Sequence, residues 1–351
     1  MDSITHLFYG GAIAAAIAPR QHRRAALLAG AALNTLPDLD VFPLRFFDPV
    51  AEMTWHRGLT HSWLVLPLVA WAIWAFFRRR GGRVAQEPQR WFWTIFLCLM
   101  AHPLIDSFTV YGTQLFWPLP MKPFMWSSLF IIDPLFTLPW FVACVIAWFA
   151  PEKPFADKAL YVGVALGVTY VGWSLVAKTL VERQAERALA AMGLGEAPRF
   201  SVPMPMNTLL WRVVAMTPGG YVEGFRSLVA DRGPMTFKGY PSNVQALREA
   251  EGIEDVDRLT WFNHGFMQAR EIDGRLVLGD LRMGSEPDYF FRFAVAQRDA
   301  GGEWRAIEPQ QLPMERDTGR MWDDTWTRIW HQPPTSAGVA VPVQSQAGQT
   351  P

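Results

Sequence analysis

The sequence predicts a mainly α-helical membrane bundle of about four to six hydrophobic helices, followed by a soluble domain of mostly antiparallel β or α+β structure. The 351 residues are half apolar and carry 17 Trp and 24 Phe, yet the mean hydropathy of +0.08 is too low for a protein that lies wholly in a membrane. Apolar runs fill the first half, and mixed charges fill the second. We therefore expect a membrane domain over residues 1–181, a soluble domain over 182–331 and a disordered tail over 332–351.

Composition and charge exclude several classes of function. Lys plus Arg and Asp plus Glu both number 32, so the chain lacks the positive field that holds nucleic acid, and no nucleic-acid partner is expected. The chain has only two cysteines, Cys98 and Cys144, and this count excludes a disulfide framework and a thiolate metal cluster. Both lie in apolar runs, where a small hydrophobic residue is sufficient explanation. The chain begins without the basic leader of a cleavable signal peptide, so we expect retained segments to insert into the membrane.

Six apolar segments in the first half can form the helices of the bundle. Four of them approach the roughly 20 residues that a membrane-spanning helix needs. The first two are shorter and Ala-rich, and could form a hairpin that enters the bilayer without crossing it. The segments cover residues 7–18, 25–36, 62–77, 91–110, 129–150 and 159–177.

The connections between these segments alternate in positive charge. Every second connection is basic, so that ten Lys and Arg residues stand in three connections and only three stand in the intervening loops. Cytoplasmic loops carry the excess of Lys and Arg. The pattern therefore predicts that loops 37–59 and 111–128 lie outside the cytoplasm, as does the C-terminal part if all six segments cross.

The second half has the pattern of a small antiparallel sheet. Runs 275–282 and 289–296 alternate in the manner of half-buried strands. Asp273-Gly274 and Gly301-Gly302 supply the turn residues of hairpins beside them.

Histidine and aspartate gather at the segment ends that the predicted topology places on one side. One histidine begins the first segment, two aspartates follow the second, two histidines precede the third, and a histidine and an aspartate spaced i and i+4 close the fourth. The positions are His6, Asp38, Asp40, His56, His61, His102 and Asp106.

Imidazole and carboxylate ligands without a thiolate favour zinc, with manganese as an alternative, and the set is large enough for one or two ions. Asp38 and Asp40 could both bind metal, or one of them could cap the next turn. His102 and Asp106 could equally be an ordinary hydrogen-bonded pair inside a bundle. A His-Glu-x-x-His signature is absent, which argues against a standard metalloprotease.

Five motifs, in order, resemble those of the YdjM-like family of bacterial membrane-bound, metal-dependent hydrolases. They occupy residues 2–6, 37–40, 56–62, 102–106 and 111–114, and segments 220–225 and 280–284 look like longer members with an appended domain. The pattern is more distantly similar to zinc-dependent phospholipase C. The resemblance implies a metal-assisted hydrolase in the bacterial inner membrane. It carries the metal-binding role onto His6, Asp38, His56, His61, His102 and Asp106.

We expect hydrolysis of a phosphoester, with membrane lipids as partners and a lipid or lipid-linked substrate. Asp40 or Asp106 could bridge a second ion or accept the proton of the attacking water, His61 is both ligand and catalytic candidate, and Arg57 could bind phosphate oxygens. The alternative is a non-catalytic metal-binding scaffold or an ion-coupled carrier. A carrier would place its ionisable residues near the bilayer midplane and often show an internal repeat.

Further polar residues follow the fourth segment. Tyr111, Thr113, Gln114 and Lys122 could line the same pocket. Asp133 before Pro134 could be another ligand or a helix N-cap.

Overall fold

The computed structural model describes residues 1–314 and 318–333, and its first 191 residues form a helical bundle. The connections include short 3-10 turns at Arg20–His22, Leu36–Asp40 and Leu59–His61. The helices are α1 (Ser3–Ile17), α2 (Arg23–Thr35), α3 (Val41–Leu44), α4 (Pro49–Trp55), α5 (Leu66–Arg80), α6 (Gly82–Gln86), α7 (Pro88–Asp106), α8 (Pro134–Phe149) and α9 (Pro154–Ala191).

Aspartate caps and prolines in the first turn fix where several of these helices begin. Asp2, Asp48 and Asp133 each accept hydrogen bonds from two backbone N–H groups at the start of α1, α4 and α8. Helices α4, α5, α7, α8 and α9 carry a proline in their first two positions, where the missing N–H costs nothing. The cap role of Asp133 uses its Oδ1 atom, and Tyr170 Oη donates to Oδ2 at 2.8 Å, which favours the cap over a further metal ligand.

Fewer helices than expected are long enough to cross a membrane alone. Among the described residues, two apolar helical stretches pass this length, Arg20–Leu44 and Pro154–Ala191. The stretch Pro49–His61, which contains α4, forms a third with α5 if this pair, bent by 57°, is one span. Helices α1 and α8 have 15 and 16 residues, about 22–24 Å at 1.5 Å per residue, against a hydrocarbon core of about 30 Å. The predicted count of four to six membrane helices is therefore not confirmed.

The outer surface of the bundle is apolar. Leu68 and Trp71 on α5, Phe149 on α8 and Val168 on α9 are all largely exposed. Exposed apolar side chains over so much of a helical surface are typical of lipid contact rather than of water.

Two glycines bring α1 and α2 into close contact at the centre of the bundle. A Cβ atom on Gly30 would lie 2.2 Å from the backbone oxygen of Gly10, and one on Gly10 would lie 2.2 Å from Cβ of Asn34. Real Cβ contacts are never that short, so only glycine permits this approach. The approach also sets Asn34 beside His6.

The C-terminal part is an antiparallel β domain, as predicted, and the structure shows two four-stranded sheets in it. The sheets have the strand orders β1-β2-β3-β4 and β10-β9-β6-β5, and β7 pairs with β8. The elements are β1 (Arg199–Pro203), β2 (Leu210–Thr217), β3 (Gly220–Ser227), β4 (Lys238–Pro241), α10 (Val244–Glu249), α11 (Glu254–Phe262), β5 (Met267–Ile272), β6 (Arg275–Asp280), β7 (Gly284–Ser285), β8 (Asp288–Tyr289), β9 (Arg292–Arg298), β10 (Trp304–Gln311) and α12 (Thr318–Trp330).

The hairpin expected at Asp273-Gly274 joins β5 to β6, and both turn residues have positive φ angles of 51° and 71°. The strand expected over 289–296 begins later, at Arg292, because Tyr289 pairs within β8 instead. The predicted tail, 332–351, lies outside the described residues from position 334 onward.

The β domain rests on the helix ends that carry the predicted ligands. Val50 and Met53 of α4 and Tyr111 after α7 share one hydrophobic core with Phe262 and Leu281. His264 Nε2 and the carbonyl oxygen of Pro123 lie 2.8 Å apart across the same contact. Helix α9 runs unbroken through the proposed domain boundary at residue 182, so the division into domains stays a prediction.

Candidate metal centre

Four predicted ligands meet at one end of the bundle. Asp38 lies in the 3-10 turn after α2, His61 lies in the 3-10 turn before α5, and His102 and Asp106 occupy the last turns of α7. The i and i+4 spacing puts the two α7 residues on one helix face. One ligating atom from each of the four residues lies within 4.8 Å of the other three, so this group could hold a metal ion.

The imidazole-to-carboxylate distances within the group are nearly uniform. His61 Nε2 lies 2.9 Å from His102 Nε2. Each of these nitrogens lies 3.3–3.4 Å from Asp38 Oδ1 and from Asp106 Oδ2. The two imidazoles and the two carboxylates therefore face a common centre.

The two carboxylate oxygens that face this centre accept no hydrogen bond of acceptable geometry from any described residue. They are Asp38 Oδ1 and Asp106 Oδ2, and both atoms are buried. A buried carboxylate oxygen without a partner is costly unless a positive charge compensates it. The side chains of His61, His102 and Asp106 are fully buried, and that of Asp38 is 17% exposed.

Neighbouring polar groups orient both histidines toward the centre. His102 Nδ1–H donates to the backbone oxygen of Asn34 at 2.5 Å. His61 Nδ1 lies 2.9 Å from Thr60 Oγ1, which in turn donates to Asp40 Oδ2 at 2.7 Å. With Nδ1 engaged in this way, Nε2 of each ring is left as the ligand atom, an arrangement common among metal-binding histidines.

His6 lies beside the four-residue group but outside it. Its Nε2 atom is 3.2 Å from Asp106 Oδ1 and 3.9 Å from Asp38 Oδ2. Its Nδ1 atom is 3.1 Å from Asn34 Oδ1, and its ring stacks on His102 with centroids 3.9 Å apart. His6 therefore positions Asp106 and His102 from outside the four-residue group, and its Nε2 atom lies near both carboxylates.

His56 also lies outside the group and pairs with Asp40. His56 Nδ1–H donates to Asp40 Oδ1 at 2.8 Å, and the two side chains are 16% and 9% exposed. No described residue forms a hydrogen bond with His56 Nε2. The sequence suggested His56 as a metal ligand, whereas the structure places it in an Asp-His pair at the edge of the site.

Arg57 is buried next to the group and has an unusual backbone conformation. Its φ angle is +63°, a left-handed value that costs energy in a residue other than glycine. Its guanidinium lies 3.3 Å from Asp106 Oδ1, donates to Thr109 Oγ1 at 3.1 Å and stacks over the ring of Tyr111. These contacts hold the side chain beside the carboxylates, and its Nε atom has no partner among the described residues.

The helical half of the chain has clear relatives. The family model described as YdjM inner membrane protein matches residues 1–181, just over half of the 351 positions. The chain belongs to the YdjM inner membrane protein family. All the residues of the candidate centre fall within the matched range, and membership identifies an inner membrane protein.

Two curated relatives of this YdjM family member match parts of it. The chain is 26% identical over 210 residues to the uncharacterized protein YfhP of Bacillus subtilis (strain 168), covering 57% of the chain and 58% of the relative. It is 35% identical over 114 residues to the inner membrane protein YbcI of Escherichia coli (strain K12), covering 32% and 58%. The chain thus spans less than two thirds of either relative's length. No solved structure matches, and the more distant similarity to phospholipase C is not shown.

Asn34 and Thr60 also belong to the site, and neither was singled out from the sequence. Asn34 holds both His6 and His102, and Thr60 links His61 to Asp40. A single Asn near the end of an Ala-rich apolar run was the available signal for the first. Nothing in the local sequence distinguished Thr60 from an ordinary turn residue.

The other candidates are mainly structural. Tyr111 Oη donates to Met53 O and Gln114 Nε2 donates to Thr54 O, both at 2.8 Å, so both residues fasten α4. Burial raises the pKa of Tyr111 above its ordinary value, which keeps the phenol protonated as a donor. Lys122 is exposed.

Proposed function

We propose that this protein is a membrane-bound, metal-dependent hydrolase that cleaves a phosphoester. The observation that carries the proposal is the convergence of Asp38, His61, His102 and Asp106 on one buried centre, where two carboxylate oxygens accept no hydrogen bond from the described residues. These residues would hold the ion. Family membership places the site in an inner membrane protein and says nothing of catalysis.

We propose zinc as the ion that these residues would hold. A zinc ion bound tetrahedrally at about 2.0–2.1 Å keeps neighbouring ligand atoms about 3.3–3.4 Å apart. The four imidazole-to-carboxylate distances in the group are 3.3–3.4 Å, whereas the two imidazole nitrogens lie closer together, at 2.9 Å. Two nitrogen and two oxygen ligands also suit manganese. Elemental analysis of the purified protein distinguishes zinc from manganese.

A bound divalent ion would supply Lewis acidity toward water and toward a phosphoryl oxygen. Arg57 lies beside Asp106 with its guanidinium fixed by Thr109 and Tyr111. A planar guanidinium binds phosphoryl oxygens bidentately, so we propose that Arg57 stabilises the negative charge on the reacting phosphate.

His56 is the residue best placed to move the proton. Asp40 accepts from His56 Nδ1–H and thereby leaves Nε2 as the basic atom at the partly exposed edge of the site. In hydrolysis the water oxygen bonds to phosphorus, the ester P–O bond breaks, and the leaving alcohol takes up the proton that the water loses. We propose that His56 accepts that proton and returns it.

The test combines metal analysis with turnover. Purified full-length protein is assayed for bound metal and for hydrolysis of a water-soluble nitrophenyl phosphodiester, alongside His102→Gln and a control, His331→Gln, whose imidazole is exposed at the end of α12. We expect His102→Gln to lose metal and turnover, and the control to keep both. Equal metal in parent and His102→Gln would refute the site, and bound metal without turnover of any ester would favour the scaffold.

A further inference from the structure

A short segment directly after the candidate centre exposes large apolar side chains. Residues 41–47 read Val-Phe-Pro-Leu-Arg-Phe-Phe. Phe46 is 90% exposed, Phe42 is 56% exposed and Phe47 is 51% exposed. The single charge in the segment belongs to Arg45, whose guanidinium lies 5.5 Å from the ring centroid of Phe42. Three exposed rings in seven residues are unfavourable on a surface that faces water.

Further exposed apolar residues flank the candidate centre along the chain. Asp38 and His56 are the partly exposed members of the site, and exposed apolar residues adjoin each of them in the chain. Phe47 and Trp55 pack edge to face, with centroids 4.9 Å apart. We call this set of residues the apolar rim, which consists of Leu39, Phe42, Phe46, Phe47, Trp55 and Leu59.

The position of the rim along the helices indicates what covers it. The apolar helical stretch Arg20–Leu44 is long enough to cross a membrane, and the three phenylalanines lie at or just beyond its end. A helix of that length ends where hydrocarbon meets the lipid headgroups. Aromatic rings and an arginine are the residue types that favour this interface, since the rings enter the acyl region and the guanidinium reaches the phosphates.

We propose that the apolar rim lies in the bilayer interface and admits a phosphoester lipid sideways into the metal centre. The acyl chains would stay among the rim side chains, while the headgroup phosphate reaches Arg57. The inference rests on the proposed function and narrows its substrate to a lipid whose phosphoester is hydrolysed as described above. Two observations support it: the phenylalanines of the rim lie at or just beyond the end of an apolar helical stretch long enough to cross a membrane, and rim residues adjoin the partly exposed Asp38 and His56 in the chain.

The first test measures the depth of the rim without using activity. Full-length Phe46→Cys is labelled with bimane and reconstituted in phosphatidylethanolamine and phosphatidylglycerol vesicles with brominated acyl chains. Cys98 and Cys144 are buried, so the label goes to the new cysteine. The control is Phe290→Cys, because Phe290 is an exposed aromatic of the β domain. We expect bromine to quench the label at position 46 and not at 290, and equal fluorescence with and without bromine at 46 would overturn the proposal.

The second test compares two substrates. The double variant Phe42→Ser/Phe46→Ser and the control Phe290→Ser are assayed in vesicles on a long-chain phospholipid and on the soluble nitrophenyl phosphodiester. We expect the double variant to hydrolyse the phospholipid at least about tenfold more slowly than the parent, because two rings that anchor the rim in lipid are lost. The soluble ester does not pass through the rim, so it should be hydrolysed at the parent rate. Equal losses on both substrates would contradict entry through the rim. If the parent hydrolyses neither substrate, the proposed function fails, whereas quenching at position 46 still decides whether the rim contacts lipid.

Discussion

At the residue scale, the sequence could not decide whether His56 binds the metal or acts beside it. The structure pairs His56 with Asp40 and leaves it outside the four-residue group, so His56→Ala should keep the bound metal. Turnover should fall by about a hundredfold or more, because a positioned general base contributes about 10²–10⁴ in rate. Metal content and kcat measured on one preparation check both statements. Loss of metal from His56→Ala would restore its role as a ligand.

Arg57 provides a second prediction at this scale. Lysine keeps the charge but cannot offer the planar pair of donors that a guanidinium gives to phosphoryl oxygens. We expect Arg57→Lys to lower kcat by about a hundredfold, the usual cost of removing a donor to developing charge, with metal content unchanged. A variant with parental kcat would show that Arg57 only balances the charge of Asp106.

The site residues that the sequence predicted are recognisable from spacing within one helix, whereas the positions it could not assign depend on contacts between distant parts of the chain. His102 and Asp106 share a helix face by spacing alone, and the structure brings them together with Asp38 and His61. Which histidine of the pair at 56 and 61 faces the centre depends on the turn between them, where Arg57 takes a positive φ. No propensity predicts such a conformation, in which the backbone of Arg57 donates to Asp40 Oδ2 and accepts from the backbone N–H of Gln114.

At the element scale, the same contrast appears in α9. The apolar run predicted a helix over 159–177, but the helix extends to Ala191. Beyond Ala177 it buries Val181, Ala185 and Ala188 against Trp211 of the β domain. These small apolar residues lie on one face of the helix, with charged residues between them in the sequence, so they do not form an apolar run. Their burial depends on the sheet that they contact.

The close packing of α1 and α2 is a further element-scale prediction. Gly30→Ala would place a Cβ 2.2 Å from the Gly10 oxygen, whereas a Cβ on Gly172 of α9 meets nothing within 4 Å. We expect Gly30→Ala to destabilise the protein by about 1–3 kcal/mol through overpacking, and to weaken metal binding because Asn34 shifts from His102. The matched Gly172→Ala should be neutral or slightly stabilising. Thermal unfolding of both variants in detergent, with metal analysis, checks this; equal midpoints would show that α1 and α2 separate freely.

At the scale of the whole molecule, the zero net charge is a sum over unlike parts. Arginines crowd the connections at one end of the bundle, where Arg23 contacts Asp157 at the start of α9. The histidines and aspartates of the candidate centre lie at the other end, beneath the β domain that shares a core with α4. The apolar halves of α5, α8 and α9 lie between the two ends and face outward.

This separation of charge leads to a prediction of orientation. Because basic connections stay in the cytoplasm, the metal centre and the β domain should lie on the non-cytoplasmic side of the inner membrane, whichever of the shorter helices cross fully. Protease added outside intact right-side-out vesicles should then cleave within residues 192–314. A cytoplasmic marker enzyme trapped in the same vesicles should survive until detergent is added. Protection of the β domain in intact vesicles would invert the orientation, and it would put the apolar rim and its lipid substrate in the cytoplasmic leaflet.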